Sequence, residues 1–312
     1  MSVPCRKAFS ETILEEAKND GKIIVMCTDS RGSVTLGDFA KELPGQFVEM
    51  GIAEQNCVGV AAGLSNAGLK PFVCGPASFY SMRSAEQVKV DLAYSHTNVK
   101  IIGISGGVSY GALGSTHHSL QDIALMNAIP GIKVILPSDQ NQTRSLTKEL
   151  VRDNGPVYVR MGRGAVPDIY DESAVFEIGK ANILANGSDI GILATGEMVY
   201  PSKMAAEILK TQGIHAAVVD MHTIKPLDVE TLERIGHQCG KLITVEEHSV
   251  NGGLGSIVAS HFSEDTSVSV HIMGLPDSSM VTGESKDVFR HYGLTADNIA
   301  KQAQILLKAG GR

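Results

Sequence analysis

The chain has 312 residues, a length that corresponds to about two domains. Of these residues 43% are hydrophobic and 20% are charged, which is the usual composition of a globular protein. Its net charge of −7 argues against binding to nucleic acid or an anionic membrane, although a local basic pocket for a phosphate is not excluded. The N-terminal stretch has no apolar h-region, no apolar run reaches membrane-spanning length and no C-x-x-C pair occurs among five scattered cysteines. We therefore predict a cytoplasmic protein without a secretory leader or disulfides.

The first half of the chain alternates helices with short buried strands. In chain order it reads as helix ETILEEAKND, strand KIIVMCTDS, strand FVEMGI, helix AEQNCVGVAAGLSNAG, strand KPFVCGPASF, helix SAEQVKVDLAYS, strand VKIIGISGG, a glycine-rich loop, helix SLQDIALMNAI, strand IKVILPSD, helix NQTRSLTKELVRD and strand GPVYVRMGRG. This alternation predicts a parallel sheet with helices on both faces.

A second alternation follows the segment PDIYDESAVFEIG, which has no strong period and is interpreted as a linker. The elements are strand SDIGILATG, helix PSKMAAEILKTQG, strand IHAAVVDMH, a TIKPLD turn, helix VETLERIGHQCG, strand KLITVEEHS, helix GGLGSIVASHFSE and strand VSVHIMGLPD. We therefore predict an α/β protein with two doubly wound, mostly parallel sheets. The predicted segments are a first domain over 1–165, a linker over 166–178 and a second domain over 179–312.

Glu54 stands at the mouth of a helix that is otherwise small and apolar. In the simpler interpretation it is a helix-start carboxylate, which the helix macrodipole favours. Because nearly all of the helix is Ala, Gly, Val, Cys and Leu, however, its start is expected to be partly buried, where a charge is disfavoured unless it is paired. A carboxyl group in such a place is suited to share a proton with a ligand nitrogen.

The loop GGVSYG, residues 106–111, contains a G-x-S-x-G pattern centred on Ser109. A serine hydrolase would need strand, sharp turn and helix around this serine. Here a second glycine-rich stretch, YGALGSTHHS, follows instead of a helix. A loop that lets a ligand approach the backbone is the better interpretation.

Adjacent histidines follow in GSTHHSLQD, residues 114–122, after Thr116. No Cys or acidic partner lies at metal-ligand spacing, so we predict no metal site. Two interpretations stay open. Either the segment begins a helix capped by Ser119, or one of His117 and His118 lies in the cleft where parallel sheets bind ligands.

Other candidates lie close to strand ends or helix starts. Phe79 and Tyr80 come just after a strand and are either core residues or a platform for a flat heterocycle. Ser33 and Arg163 follow two strands of one sheet, and Arg6 precedes the first helix. In the simpler interpretation these three side chains are exposed to solvent. In the other they form an anion site, because arginine is the preferred partner of phosphate. The Gly-rich start of a helix in EEHSVNGGLGS is either a structural turn or an anion site.

Taken together, these segments resemble the transketolase family. The residues that carry the resemblance are RKAFSETILEEA, TDSRGS, GIAEQN, EQVKVDLAYSHTNVKII, GSTHHSLQDIALMNAIPGIKVILPSD, TIKPLD and VEEHSVNGGLG, in this order. The resemblance covers nearly the whole chain and implies a pyrimidine-binding domain followed by the family's C-terminal domain. No single segment is specific, but the ordered set is.

The resemblance implies a thiamine diphosphate site. Glu54 would hydrogen-bond N1′ of the aminopyrimidine and favour the imino tautomer, whose nitrogen takes the proton from thiazolium C2. Phe79 or Tyr80 would stack on the pyrimidine. Asp29 and His117 would lie near the thiazolium and the reacting oxygens. The sugar phosphate would be held by Arg6, Ser33 and Arg163, with His117 beside it.

Two departures from the family pattern matter. Transketolases place a His at the position of Ser105 and an Asp at that of Leu113, and both contact sugar hydroxyls, so the usual sugars are in doubt. The chain also lacks the GDG…N segment that binds Mg²⁺ and the diphosphate. The resemblance therefore implies one half of a split transketolase, with Mg²⁺ ligands on a partner subunit and a heterotetramer of two halves each.

Several alternatives stay open beside this interpretation. The β subunit of a 2-oxo acid dehydrogenase is also split and thiamine-dependent, but the Thr-His-His, RKAFSE and TIKPLD segments favour transketolase. A relative of deoxyxylulose-phosphate synthase is a third possibility, against which the missing domain counts. The chain could also be a non-catalytic binding or regulatory subunit, or, least consistently, a hydrolase using Ser109.

Overall fold

The computed structural model describes residues 2–278 and 280–309, so residue 1 of the predicted first segment and residues 279 and 310–312 of the predicted second segment lie outside it. The described chain forms two mostly parallel sheets with helices on both faces, which confirms the predicted fold class. The helices are α1 (Cys5–Asn19), α2 (Arg31–Val34), α3 (Gly37–Glu42), α4 (Glu54–Asn66), α5 (Ala77–Met82), α6 (Ala85–Gln87), α7 (Asp122–Ala128), α8 (Gln140–Arg152), α9 (Val199–Lys210), α10 (Val229–Cys239), α11 (Leu254–His261), α12 (Ser285–Tyr292) and α13 (Ala296–Ala309). Helix α6 continues into a π-helix, Val88–Tyr94. None of the described helices is long and apolar enough to cross a membrane.

The strands of the two sheets follow the predicted alternation with a few additions. They are β1 (Ile23–Cys27), β2 (Phe47–Glu49), β3 (Lys70–Pro76), β4 (Lys100–Ile104), β5 (Lys133–Ile135), β6 (Val157–Met161), β7 (Asn182–Ala185), β8 (Ile190–Ala194), β9 (Ala216–Asp220), β10 (Thr223–Lys225), β11 (Lys241–Ser249) and β12 (Ser269–Leu275). Within the described residues, the first sheet has the order β10-β5-β6-β4-β3-β1-β2 and the second the order β12-β11-β8-β9-β7. Strand β10 is antiparallel to β5, and β7 to β9.

Strand β10 corrects one prediction. Its residues belong to the TIKPLD segment, which was predicted to be a turn, yet they pair with β5 in the first sheet. The Lys225 ammonium fixes this strand by donating to the carbonyl oxygens of Asn127 and Ile129, at 2.9 and 2.6 Å. The pairing of β10 with β5, which are far apart in sequence, therefore determines the structure of this segment more strongly than its turn-like composition. As a result, the second domain contributes an edge strand to the sheet of the first.

Further differences concern element boundaries. The strand predicted over KPFVCGPASF stops at Pro76, and α5 begins at Ala77. Strand β7 was not predicted, nor were the short helices α2 and α3 or the last two helices, α12 and α13. The early start of α5 matters for function, because it places Phe79 on a helix.

A buried polar network joins the linker to both domains at Asp220, the last residue of β9. Its Oδ2 accepts hydrogen bonds from the Tyr170 hydroxyl (2.7 Å), the Gln142 amide (2.8 Å) and the Ser138 hydroxyl (3.1 Å). Complete burial raises the pKa of the Asp220 carboxyl to about 7, against the opposing effect of these three donors. This carboxyl group therefore changes its charge near neutral pH in the folded protein.

A second buried cluster surrounds Arg160, which lies on β6 of the first sheet. Its Nη2 donates to the main-chain oxygen of Glu247 on β11 at 2.7 Å, and its Nε lies 3.3 Å from a carboxylate oxygen of Asp122. The Glu247 carboxyl accepts from the Val108 N–H at 2.7 Å, and burial raises the pKa of this carboxyl to about 8. The cluster thus ties the second domain to the start of the loop that carries Ser109.

Candidate active site

The site lies where strands of the first sheet end. Asp29 and Ser33 follow β1, Phe79 lies just after β3, His117 belongs to the long loop after β4, and Arg163 follows β6. These strands are mutually parallel, so their carboxyl ends meet at one edge, where open α/β sheets bind ligands.

Glu54 is the first residue of α4 and lies almost completely buried at the mouth of a cavity of about 540 Å³. Its Oε1 accepts from the Arg83 guanidinium at 3.1 Å, so the buried charge is paired. Among the described residues no hydrogen bond reaches Oε2. The exposed side chains of Ile52, Gln55 and Asn56 line the same cavity.

The structure separates the two aromatic candidates. Tyr80 is fully buried, and its hydroxyl accepts from Thr28 at 3.1 Å and contacts Cys57 Sγ at 3.5 Å, so it belongs to the core and no ligand can reach its ring. Phe79 is half-buried, and the Arg83 guanidinium carbon lies 3.9 Å from its ring centroid. The geometry therefore argues against Tyr80, and in favour of Phe79, as a stacking platform.

His117 lies between two aromatic rings. Its ring centroid is 5.4 Å from that of Phe79 and 5.6 Å from that of Tyr110, both in edge-to-face arrangement. Nδ1 pairs with the Thr116 hydroxyl at 2.9 Å, which leaves Nε2 without a hydrogen bond in the described part of the chain. His117 is thus held in one orientation with a free nitrogen.

The three residues predicted to hold an anion come together. Arg6 Nη1 donates to the main-chain oxygen of Ser33 at 2.6 Å, and its Nε donates to that of Arg163 at 3.1 Å. The Tyr110 hydroxyl donates to Ser33 Oγ at 3.2 Å, and the Arg163 guanidinium carbon lies 4.9 Å from the Tyr110 ring centroid. Burial and the charge of Arg163 lower the pKa of Arg6, as expected for two cations held close together.

The remaining predicted positions have less defined surroundings. Asp29 is exposed, adopts a left-handed backbone (φ 51°) and donates its N–H to Glu49 at 2.8 Å. Ser105 is also left-handed (φ 58°), and its buried hydroxyl has no partner among the described residues. Leu113 is 55% exposed. Neither of these last two supplies the polar group that the family places there.

Three of the alternatives from the sequence disagree with the geometry. Ser109 lies in a loop followed by a short 3₁₀ turn, Gly111–Leu113, and not at a strand–turn–helix elbow. Helix α7 begins at Asp122, so Ser119 is not its cap; Ser119 instead bridges to Gly107. The start of α11 is occupied by the Glu246 carboxylate, which accepts from the N–H groups of Leu254 and Gly255, so the Gly-rich segment there is structural.

Two residues of the site were missed by the sequence analysis. Arg83 lies four residues after Phe79 at the end of a helix, and side chains at this spacing meet on a helix surface. If α5 had been predicted, the contact between Arg83 and Phe79 would have been expected. Tyr110 is an aromatic residue inside a glycine-rich loop, and nothing in its local sequence distinguishes it from a solvent-exposed tyrosine.

The residues present fit the pyrimidine end of thiamine diphosphate. A buried carboxylate with one free oxygen suits a ring nitrogen, and the nearby Phe79 ring offers a flat apolar face. In residues 2–278 and 280–309, no group of three or more His, Cys, Asp or Glu side chains is placed to hold a metal ion.

Comparison with known families gives matches over almost the whole chain. The pyrimidine-binding domain of transketolase matches residues 1–168, and the C-terminal domain of transketolase matches residues 179–299.

Individual relatives extend over the same length. The chain is 55% identical to a subunit of the apulose-4-phosphate transketolase of Phocaeicola vulgatus, over 98% of each chain. It is 37% identical to a 6-deoxy-6-sulfo-D-fructose transketolase subunit of Clostridium sp. (strain MSTE9), over 96% of this chain and 92% of that one. A solved structure of a split gene transketolase, an inactive beta4 tetramer, is 38% identical with a TM-score of 0.89, covering 98% of this chain and 99% of the other. The chain belongs to the transketolase family, of which it comprises the pyrimidine-binding and C-terminal domains.

Proposed function

We propose that the chain is the pyrimidine-binding subunit of a thiamine diphosphate-dependent split transketolase, which transfers a two-carbon ketol unit from a ketose phosphate to an aldose or aldose phosphate. The observation that carries the proposal is the buried Glu54 carboxylate, paired on one oxygen and free on the other, beside the half-buried Phe79 ring. Thiamine diphosphate, when bound, supplies the electron sink for breaking and forming the carbon–carbon bond.

Each residue has a distinct task in this proposal. Glu54 holds N1′ of the aminopyrimidine and shares its proton, and Phe79 supports the ring face. His117, fixed by its aromatic neighbours, holds or moves a proton at an oxygen of the sugar through Nε2. Asp29 lies at the same edge of the sheet, near the place proposed for the thiazolium.

The substrate is proposed to be an anionic sugar. Arg6, Ser33 and Arg163 meet at one end of the site, and paired arginines suit a phosphate or a similar anion. The names of two relatives, an apulose-4-phosphate and a 6-deoxy-6-sulfo-D-fructose transketolase subunit, support the same substrate class.

A partner subunit is proposed to complete the site and to carry the ligands of Mg²⁺ and of the diphosphate. Residues 55–69, most of α4 and the turn after it, contain no charged side chain, although several lie on the surface. Ile52, just before this helix, and Val60, within it, are 73% and 38% exposed. An uncharged helix surface with exposed apolar residues is typical of a protein interface. We propose that it is covered in a heterotetramer of two chains of each kind.

Two further points belong to this proposal. We divide the chain at 1–165, 166–178 and 179–312, with β10 crossing back into the first domain. All five cysteines are unpaired, which supports a reducing, cytoplasmic location.

The first test is Glu54→Gln in the pair reconstituted with a diphosphate-binding partner, thiamine diphosphate and Mg²⁺. The glutamine keeps the shape but cannot share a proton, so turnover should fall by about 100-fold or more. Glu86→Gln, an exposed carboxylate on the neighbouring helix, is the matched control and should leave turnover unchanged. Unchanged turnover in Glu54→Gln would sink the catalytic assignment. Turnover of 2-oxo acids in place of sugars would indicate a dehydrogenase subunit instead.

A further inference from the structure

The Arg163 guanidinium is positioned by an aromatic ring. The face of Tyr110 lies 4.9 Å from the guanidinium carbon, and Arg163 Nη1 is buried without a hydrogen-bond partner in the described part of the chain. The neighbouring Arg6, in contrast, is fixed by two main-chain oxygens. The face of an aromatic ring attracts a guanidinium cation without accepting hydrogen bonds from the N–H groups of that cation. Tyr110 therefore contacts Arg163 without occupying the N–H groups of the guanidinium.

The same ring also contacts the reacting end of the site. The edge-to-face contact with His117, at 5.6 Å between centroids, and the hydrogen bond to Ser33, at 3.2 Å, place Tyr110 between the proposed proton-handling residue and the proposed anion site. A shift of this one side chain would therefore move His117, Ser33 and Arg163 relative to one another.

The second domain fixes the loop that carries Tyr110. The Gly283 N–H donates to the Gly111 oxygen at 3.2 Å, and the Ser285 hydroxyl donates to the Val108 oxygen at 2.9 Å. A Cβ added at Gly111 would overlap the Gly283 oxygen, so the two segments lie in direct contact. The position of Tyr110 is thus set from outside its own domain.

A cavity of about 550 Å³ opens beside this ring. Tyr110, Arg163 and Leu113 line it from the first domain, and Lys286 and Glu284 from the second. The wall carries two cations, Arg163 and Lys286, and one carboxylate, Glu284, so its net charge favours an anion. Tyr110 and Leu113 add apolar surface to the same wall.

We infer that Tyr110 is the positioning residue that presents Arg163 to a phosphate-type anion and thereby sets the preference of this subunit for anionic sugars. The inference rests on the proposed function for the identity of the substrate, but the anion site itself can be tested without turnover. A ring at this position is required, whereas its hydroxyl contributes less, because the contacts with Arg163 and His117 are made by the ring.

The experiment measures binding of inorganic phosphate to the full chain by isothermal titration calorimetry. Wild type should bind phosphate, Tyr110→Phe should bind with nearly the same affinity, and Tyr110→Ala should bind about tenfold more weakly, the scale of a partly desolvated cation–π contact. Tyr94→Ala removes an exposed tyrosine elsewhere and should have no effect. Tyr110→Leu, which keeps the apolar volume, should weaken binding as Tyr110→Ala does and guards against a folding defect.

Phosphate affinity and KM together test the role proposed for Tyr110. Equal phosphate affinity in wild type and Tyr110→Ala, or no phosphate binding by wild type at all, would overturn the inference. In the reconstituted pair, Tyr110→Ala should raise KM for glyceraldehyde 3-phosphate about tenfold and change KM for glyceraldehyde much less, whereas Tyr110→Phe should restore the wild-type ratio. An inactive pair would contradict the proposed function, and the phosphate titration would still decide the role of Tyr110.

Discussion

Arg83 lies between the two residues that would hold the cofactor, since it pairs with Glu54 and covers Phe79. The ion pair is asymmetric, because 46% of the Arg83 side chain but only 4% of the Glu54 side chain is exposed. Water therefore screens the arginine but not the carboxylate. A ligand nitrogen that reached Glu54 would replace or join this partner.

Replacing Arg83 by Met should leave Glu54 buried without its partner. We expect the free energy of unfolding to fall by about 1 kcal/mol, less than for a fully buried pair because Arg83 is half exposed. Urea unfolding of the isolated chain measures the change. Arg31→Met, an exposed arginine without a side-chain hydrogen bond in the described part of the chain, should leave stability within about 0.5 kcal/mol of wild type. Equal stability of the two variants would contradict this account.

At the residue scale, the sequence indicated the candidates but not their contacts. The placement of Glu54, His117 and Arg163 could be predicted because each follows a strand or begins a helix, and parallel strands end at one edge, whereas their roles stay predictions. The choice between Phe79 and Tyr80 could not be made, because an error in the end of one strand reverses which side chain faces the core. Tyr110 could not be predicted because its partners Ser33 and Arg163 come from other strands.

At the scale of elements, the loop over 106–114 depends on a segment of the second domain. Gly111 and Gly283 face each other across this contact, but their surroundings differ. A Cβ at Gly111 would overlap the Gly283 oxygen, whereas a Cβ at Gly283 would meet no atom within 4 Å. The two glycines therefore make a matched pair of substitutions.

Gly111→Ala should push the loop away from Gly283 and lower the free energy of unfolding by about 1–3 kcal/mol, the usual cost of overpacking. It should also weaken phosphate binding, because Tyr110 moves with the loop. Calorimetric melting and the phosphate titration measure the two effects. Gly283→Ala should change neither, and similar losses in both variants would argue that the contact does not position the loop.

The elements themselves were largely predictable, because strands of the first sheet are short apolar runs between polar turns. The exceptions have physical reasons. Strand β10 has three residues with a turn-like sequence and forms only because β5 offers an open edge. Helix α5 was hidden because Phe79 and Tyr80 also suit the end of a strand.

At the scale of the whole molecule, the two domains and the linker meet at Asp220. Burial raises the pKa of its carboxyl to about 7 in the folded chain, from an ordinary value of 3.8. The folded state therefore binds a proton between pH 7 and 4 that the unfolded state does not, so this group adds stability as pH falls through that range. Two residues further on, burial lowers the pKa of His222 to about 4 from 6.5, so its contribution is lost as pH falls from 6.5.

Asp220→Asn isolates one of these opposing effects. Relative to the variant, wild type should change little in stability between pH 8 and 7 and then gain stability as pH is lowered to 5, because His222 is present in both proteins and cancels. Urea midpoints at several pH values measure the difference. In the linker, hydrogen bonds from Ser173 lower the pKa of Asp171, so Asp171→Asn should show no trend over the same range. A flat difference for Asp220→Asn would contradict a buried carboxyl that titrates near neutral pH.

The joint between the domains was beyond the reach of sequence analysis. Asp220 accepts from Ser138 and Gln142, which lie together at the start of α8, and from Tyr170 in the linker, so these groups meet only in the folded chain. Each of these residues alone would be expected on the surface of its own element.

The placement of β10 has a consequence for how the chain is made. As the chain leaves the ribosome, β5 emerges long before β10, so the first sheet is synthesised with one edge unpaired, and open edges invite pairing with other chains. Only when Thr223–Lys225 appears, after the opening strands of the second sheet, can that edge be covered. The first domain cannot be completed before the second has begun, and the two should fold as one cooperative unit.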